Sequence, residues 1–304
     1  MKFTHIVIVG TGTMGTDLSV KLSVGGERVT VVGRSGGSID SFWTRAGHTA
    51  SDMGVELNTD LLHLVTNMTE VEWQDVDLVI ENVREDLDIK RSVFRELCSL
   101  ASSDAVITSN SSTFGISKIT EGLENPYRFL GLHFFMPAHL VPLVEIVMSP
   151  ETDLKLSQNL KVSLKQLGFV PVIVKKDVPG FLANRIQAAM MREVWHVLEN
   201  DIASPEDVDT AVTFGFGCRL LAAGPVLQKE ISGLDVTYLA NKNVFPDLSV
   251  ETTPPPVLEE KVLGGNIGMK SGNGFWHWDE NKKTEVRRQY ISKLKASVKV
   301  LSED

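Results

Sequence analysis

Cysteine is scarce. The 304 residues hold two, Cys98 and Cys218, far apart and in no metal-type or redox-type spacing. A disulfide framework is therefore not what stabilises the chain, and a reducing compartment is expected. Basic runs are lacking as well. Lys and Arg number 30 against 39 Asp and Glu, a formal net charge of −9, with no stretch of five or more basic residues. Nucleic acid and anionic membrane surfaces both demand concentrated positive charge, so neither is expected as a partner. No apolar run reaches the ~18 residues that would cross a bilayer. A charged-then-apolar leader is also missing, and the expected location is cytoplasmic. The seven histidines are scattered with no clustered ligand set, so no metal is expected. What is present is ordinary. With 42% hydrophobic and 23% charged residues, the chain has the balance of a globular protein and the length for two domains.

The first half alternates short β-branched runs with helical stretches. Residues 5–9, 28–32, 64–68, 77–81, 105–109, 129–133, 143–148 and 170–174 read as strands. The early ones are apolar nearly throughout, as in a parallel sheet covered on both faces. Amphipathic stretches lie between them, for example 89–100 and 154–167. Strand and helix in turn give an α/β fold with a Rossmann-type doubly wound sheet. After Asp177-Val178-Pro179-Gly180 the pattern becomes mainly helical, starting with a long helix from about Pro179 to Leu198. Ser204-Pro205-Glu206-Asp207 is a strong helix start: a capping hydroxyl, a pre-set φ, and two carboxylates at the positive helix end. The expected division is residues 1–178, a dinucleotide-binding domain, and 179–304, a smaller all-helical C-terminal domain. Residues 253–256 read as a stiff connection, and the tail after Trp278 as a charged amphipathic helix.

Gly10-Thr11-Gly12-Thr13-Met14-Gly15 follows the first strand and opens a helix. Gly10 permits the tight turn, Gly12 lets the backbone approach a pyrophosphate, and Gly15 allows close helix–strand packing. The helix N-terminus, with Thr13 and Met14 in its first turn, then offers N–H groups to the phosphates. A carboxylate that would bind the adenosine ribose hydroxyls normally ends the second strand. Here Gly33 stands there, followed by Arg34 and Ser35. Losing the carboxylate removes repulsion against a 2′-phosphate, and a guanidinium can pair with one, so NADP is favoured over NAD. The alternative is that Arg34 only stacks on adenine while NAD binds.

Residues 131–137, GLHFFMP, leave one strand, and Pro142-Leu143-Val144-Glu145 begins the next. His133 and Glu145 can meet at the sheet edge where open α/β folds bind ligands. A buried carboxylate on one imidazole nitrogen sets the tautomer and leaves the other nitrogen to exchange a proton with an alcohol. Ser109-Asn110-Ser111-Ser112-Thr113 brings hydroxyl and amide groups to the same edge. Residues 179–185, PGFLANR, open the second domain's first helix and can present Asn184.

With these motifs, together with SPEDVDTA at 204–211 and KSGNGFW at 270–276, the chain resembles the L-3-hydroxyacyl-CoA dehydrogenase superfamily, which includes lambda-crystallin and related hydroxyacid dehydrogenases. The resemblance runs from Ile6 to about Trp278. It implies His133 as general acid/base, Glu145 as its orienting partner, and Ser112 and Asn184 as hydrogen-bonding the reacting oxygen or the neighbouring carbonyl. It further implies Glu85 against the nicotinamide-side ribose with Lys90 close by, Asn110 beside the cofactor, and a homodimer through the C-terminal domain.

Three departures bear on the substrate. Between Gly33 and Leu62 there is no lysine, whereas acyl-CoA members carry a basic helical hairpin there. After the second-domain helix stand Gly215-Phe216-Gly217-Cys218-Arg219-Leu220 instead of GYPMGP, and Arg219 could hold a substrate carboxylate. Met136 replaces a usual Asn. The expected function is hydride transfer between NAD(P) and a small hydroxyacid or similar substrate not linked to CoA. The alternatives are an L-3-hydroxyacyl-CoA dehydrogenase, or a nucleotide-binding structural or sensing protein without turnover.

Overall fold

The computed structural model describes residues 3–33 and 37–302, and the chain divides into two compact units, Met1–Arg185 and Ile186–Asp304. The first unit is built on eight strands: β1 (Ile6–Val9), β2 (Val29–Val32), β3 (Leu62–Val65), β4 (Leu78–Glu81), β5 (Val106–Ser109), β6 (Phe129–Phe134), β7 (Leu143–Met148) and β8 (Val170–Val174). Helices α1 (Thr13–Val24), α2 (Gly37–Met53), α3 (Leu87–Leu100), α4 (Ile116–Ile119) and α5 (Leu154–Gln166) connect them, and α6 (Ala183–Glu199) follows β8.

The strands form one sheet in the order β3-β2-β1-β4-β5-β6-β7-β8. From β3 to β6 every pairing is parallel. The sequences IVIV, VTVV, LVIE and VITS of β1, β2, β4 and β5 are buried at every position, because helices cover both faces. One face packs Leu18, Phe42 and Leu160 from α1, α2 and α5; the other packs Phe94 and Leu97 from α3 and Ile116 from α4. The short loop after β6 returns the chain antiparallel as β7, in a register that sets His133 directly opposite Glu145.

Two element boundaries differ from the sequence expectation by three residues or more. β3 starts at Leu62 and stops at Val65, because the Asn67 side chain accepts a hydrogen bond from Thr69 N and caps a 3-10 turn over Met68–Glu70. α6 starts at Ala183 rather than near Pro179, because Gly180 and Phe181 both adopt positive φ, 75° and 48°, and turn the chain first. Among the described residues between β2 and β3 a single helix, α2, stands where a hairpin would need two.

The second unit continues α6 and adds α7 (Pro205–Thr210), α8 (Pro225–Ser232), α9 (Leu234–Val244), α10 (Pro256–Leu263) and α11 (Glu280–Leu301). Ser204 caps α7 as its sequence implies, accepting from Asp207 N. The 270–276 motif stacks Phe275 on Trp195, with ring centroids 5.7 Å apart. From Ile186 to Ser302 not one residue is buried. Phe214, Val226, Ile231, Tyr238 and Leu263 are 68% to 80% exposed.

The glycine loop is crowded by its own protein at two positions and open at the third. Gly10 has φ 121°, and a Cβ there would stand 2.6 Å from Asn82 O. A Cβ at Gly15 would stand 2.0 Å from Gly10 O, whereas one at Gly12 meets nothing within 4 Å. Gly15→Ala is therefore expected to lower the Tm by about 10 °C or more, since overpacking against backbone has no rotamer escape. Gly12→Ala should melt within a few degrees of the wild type, which thermal denaturation followed by circular dichroism will read.

Candidate active site

His133 stands one residue before the end of β6 and is buried, and Glu145 on β7 is wholly enclosed. His133 Nδ1 lies 2.8 Å from Glu145 Oε2. A carboxylate can only accept, so Nδ1 carries the hydrogen and Nε2 offers its lone pair. Nε2 has no protein partner among the described residues. Phe135 and Phe181 flank the imidazole at centroid distances of 4.5 and 5.4 Å, which restricts the ring to this orientation.

The other oxygen of Glu145 is also engaged. Oε1 accepts from Ala183 N at 2.7 Å and Leu182 N at 3.2 Å, the free amides at the start of α6. A helix N-terminus carries unpaired N–H groups and the positive end of the helix dipole, so it compensates a buried carboxylate well. The positive φ of Phe181 aims these amides at β7; a non-glycine residue in that region costs about 1 kcal/mol. Asn184 follows as the second residue of α6, half-buried, its amide without a protein partner among the described residues.

β5 ends beside β6, with Ser109 opposite Gly131. Asn110 cross-links the sheet edge: its Nδ2 donates to Asn82 Oδ1 at 2.7 Å, and its Oδ1 accepts from Phe134 N at 2.8 Å. Both polar atoms face protein, so Asn110 braces the edge on which a cofactor would lie. Ser112 is half-buried, and its Oγ has no protein partner among the described residues. Its backbone N–H joins Ser111 and Thr113 in donating to Glu85 Oε1.

Lys90, expected close by Glu85, is enclosed, with its side chain 1% exposed. Its Nζ lies 2.9 Å from Glu81 Oε1 and 3.2 Å from Glu85 Oε2. Glu81, which the sequence reading passed over, also accepts from Ser109 Oγ and Val83 N, so three of its neighbours hold it at the end of β4. Removing one partner of such a buried pair costs about 3–5 kcal/mol. The Lys90 position carries a signal in sequence: 90, 93, 94 and 97 form the buried stripe of α3, and only the first is charged.

The glycine loop runs along a cavity of about 800 Å³ that also touches Val32, Gly33, Asn67, Asn82 and Arg84. Thr13 is exposed at the first position of α1, while Met14 packs its side chain on the core and keeps only its backbone for a ligand. A Cβ at Gly33 would stand 2.8 Å from the Thr11 methyl, so the space an acidic residue would use is already filled. Arg45 of α2 donates to Thr11 O at 2.8 Å and steadies the loop. Arg34 and Ser35 lie outside the described residues. His139, in the loop after β6, lies beside Asp17 of α1, with Nδ1 3.0 Å from Oδ2 but outside hydrogen-bond geometry. Arg219 is exposed on a 3-10 turn of the second unit, without a protein partner among the described residues.

Burial alone would raise the Glu85 carboxyl, but hydrogen bonds from Ser111 and Thr113 and the nearby Lys90 charge outweigh it and hold it down to about 2. The resulting stabilisation is complete above the ordinary value of 4.5 and is lost as the pH falls from there toward 2. The Tm gap between wild type and Glu85→Gln is therefore expected to be widest near neutrality and to close between pH 4.5 and pH 2. A gap that stays constant over that range would contradict the assignment.

The family model "3-hydroxyacyl-CoA dehydrogenase, NAD binding domain" matches residues 5–178, and the model for the same family's C-terminal domain matches residues 180–278. A 5-formyl-3-hydroxy-2-methylpyridine 4-carboxylate 5-dehydrogenase from Mesorhizobium japonicum is 30% identical over 98% of both chains. A 3-hydroxybutyryl-CoA dehydrogenase from Clostridioides difficile is 28% identical over 90% of this chain and 99% of its own. Among solved structures, a 5-dehydrogenase of the same pyridine carboxylic acid, described as an NAD+ dependent dismutase, superposes with a TM-score of 0.92 at 28% identity, covering 98% of both chains. The (S)-3-hydroxybutyryl-CoA dehydrogenase of Ralstonia eutropha gives 0.73 at 28% identity, over 92% of this chain and all of its own. By these matches, which span nearly the whole length, the chain belongs to the 3-hydroxyacyl-CoA dehydrogenase family and carries that family's NAD-binding domain.

Proposed function

We propose that this protein transfers a hydride between a nicotinamide dinucleotide and the alcohol or carbonyl carbon of a small, carboxylate-bearing substrate that is not linked to CoA. The observation that carries the reading is the His133–Glu145 pair, with one imidazole nitrogen tied down and the other free. The cofactor fits the chain's own geometry: an open backbone at Gly12, N–H groups at the start of α1, and a cavity beside both. β1 and β6 stand three strands apart, roughly 14 Å at the ~4.8 Å strand spacing, a gap that an extended dinucleotide bridges along the sheet edge. When bound, the oxidised nicotinamide supplies the hydride acceptor. His133 Nε2 takes the hydroxyl proton in oxidation and returns it in reduction, a contribution of roughly 10²- to 10⁴-fold. Ser112 Oγ and the Asn184 amide are free to donate to the reacting oxygen as its charge grows.

Two observations favour a substrate without CoA. The full-length likeness is greater to the pyridine carboxylate dehydrogenase than to the butyryl-CoA enzyme, with TM-scores of 0.92 and 0.73. The β2–β3 connection also contains one helix and no lysine for the CoA phosphates. For the cofactor, the absence of an acid at Gly33 supports acceptance of NADP beside NAD. The test is a screen of aromatic and aliphatic hydroxyacids, formyl acids and acetoacetyl-CoA with both cofactors. Turnover of a free acid is expected, with kcat/KM for NADP at least equal to that for NAD, and His133→Gln should lose about 10³-fold in kcat while still binding dinucleotide. Rapid turnover of acetoacetyl-CoA instead assigns the protein to the acyl-CoA branch.

We further propose that the working form is a homodimer through the second unit. A helical unit with no buried residue among its described residues cannot repay its ordering entropy alone, and a second copy is the partner that the exposed apolar faces of α8, α9 and α10 would fit. Light scattering should give twice the 33.4 kDa chain mass, and Ile231→Asp should lower it. A stable wild-type monomer that unfolds cooperatively rules the dimer out.

A further inference from the structure

The dinucleotide's two phosphates bring two negative charges to the cavity beside the glycine loop, and the loop offers little positive charge in return. The first turn of α1 contains no charged residue, so the helix end supplies only its dipole, about half a charge. Among the described residues lining the cavity, Arg84 is the one cation and Glu96 the one anion. Arg84 belongs to the connection between β4 and α3, which presses directly on the glycine loop. A Cβ on Gly10 would stand 2.6 Å from Asn82 O and 3.3 Å from Val83 N. The guanidinium therefore starts two residues from the point where the two loops touch.

The side chain is 75% exposed and held at one point, with Nη2 3.2 Å from Asp86 Oδ2. Asp86 is also the cap of α3, accepting from Ile89 N, and so it is anchored. Nε and Nη1 of Arg84 have no protein partner among the described residues. An exposed pair of this kind is weak, and a guanidinium leaves it readily for a phosphate that it can grip through two hydrogen bonds.

We propose that Arg84 closes over the dinucleotide pyrophosphate from the β4–α3 side, supplying the charge that the glycine loop lacks. This deepens the reading of the cavity as the cofactor site and rests on it. The arginine is a binding residue for the cofactor with no part in the proton transfer at His133.

The test compares wild type, Arg84→Met and Arg84→Lys by fluorescence titration with NADH and NADPH, and by displacement of NADH with ADP and with adenosine. Circular dichroism checks that the variants fold, as expected for an exposed side chain. Arg84→Met should weaken NADH, NADPH and ADP alike by about tenfold, leave adenosine unchanged, and flatten the salt dependence of NADH binding; Arg84→Lys should recover most of the loss. Unchanged NADH affinity overturns the proposal. So does a loss confined to NADPH, which would place the arginine at the 2′-phosphate, or an equal loss for adenosine, which would make its role one of shape. A wild type that binds no dinucleotide sinks the cofactor reading and this proposal together.

Discussion

A fully buried carboxylate must have its charge answered on every side, and in this protein Glu145 meets that demand with two different partners. Oε2 faces the His133 imidazole, and Oε1 faces the first amides of α6. Because both oxygens are engaged, the carboxylate cannot rotate, and the imidazole inherits that rigidity. The β6–β7 register, the tight turn at Gly180-Phe181 and the starting point of α6 all serve this one cluster. Burying a charge without such partners would cost several kcal/mol. The arrangement therefore stabilises the first unit and orients a proton-exchanging group at the same time.

A second cluster, buried at Lys90 and Glu81 and open to solvent at Glu85, works by the same logic. The Lys90 ammonium pairs with both carboxylates, and Glu85 gathers the 111–113 loop through one oxygen. The serine loop, the β4–α3 loop and the glycine loop are thus braced against each other before any ligand arrives. A site held this way loses little entropy on binding.

The parts legible in the sequence were those with a period or a spacing. Strands β1, β2, β4 and β5 announced themselves as short apolar runs, and β7 and β8 match their expected limits residue for residue. His133 and Glu145 were legible as a pair because each closes or opens a strand at the same edge. The second function of Glu145 was not, because its donors are backbone N–H groups, which every residue but proline possesses. Lys90 stands close to Glu85, as the resemblance implies; its enclosure is legible only from its place on the 90-93-94-97 stripe. The start of α6 was placed too early, since nothing about the letter Phe at 181 signals a left-handed backbone.

The bond between Glu145 and the start of α6 also limits how this chain can be cut or recombined. A fragment ending at residue 178, where the NAD-binding family model stops, would keep the dyad's histidine and glutamate but discard both amides that hold the glutamate still. A fragment that runs on past Ala183 would keep both amides. The hereditary unit of catalysis is thus longer than the domain that bears its name.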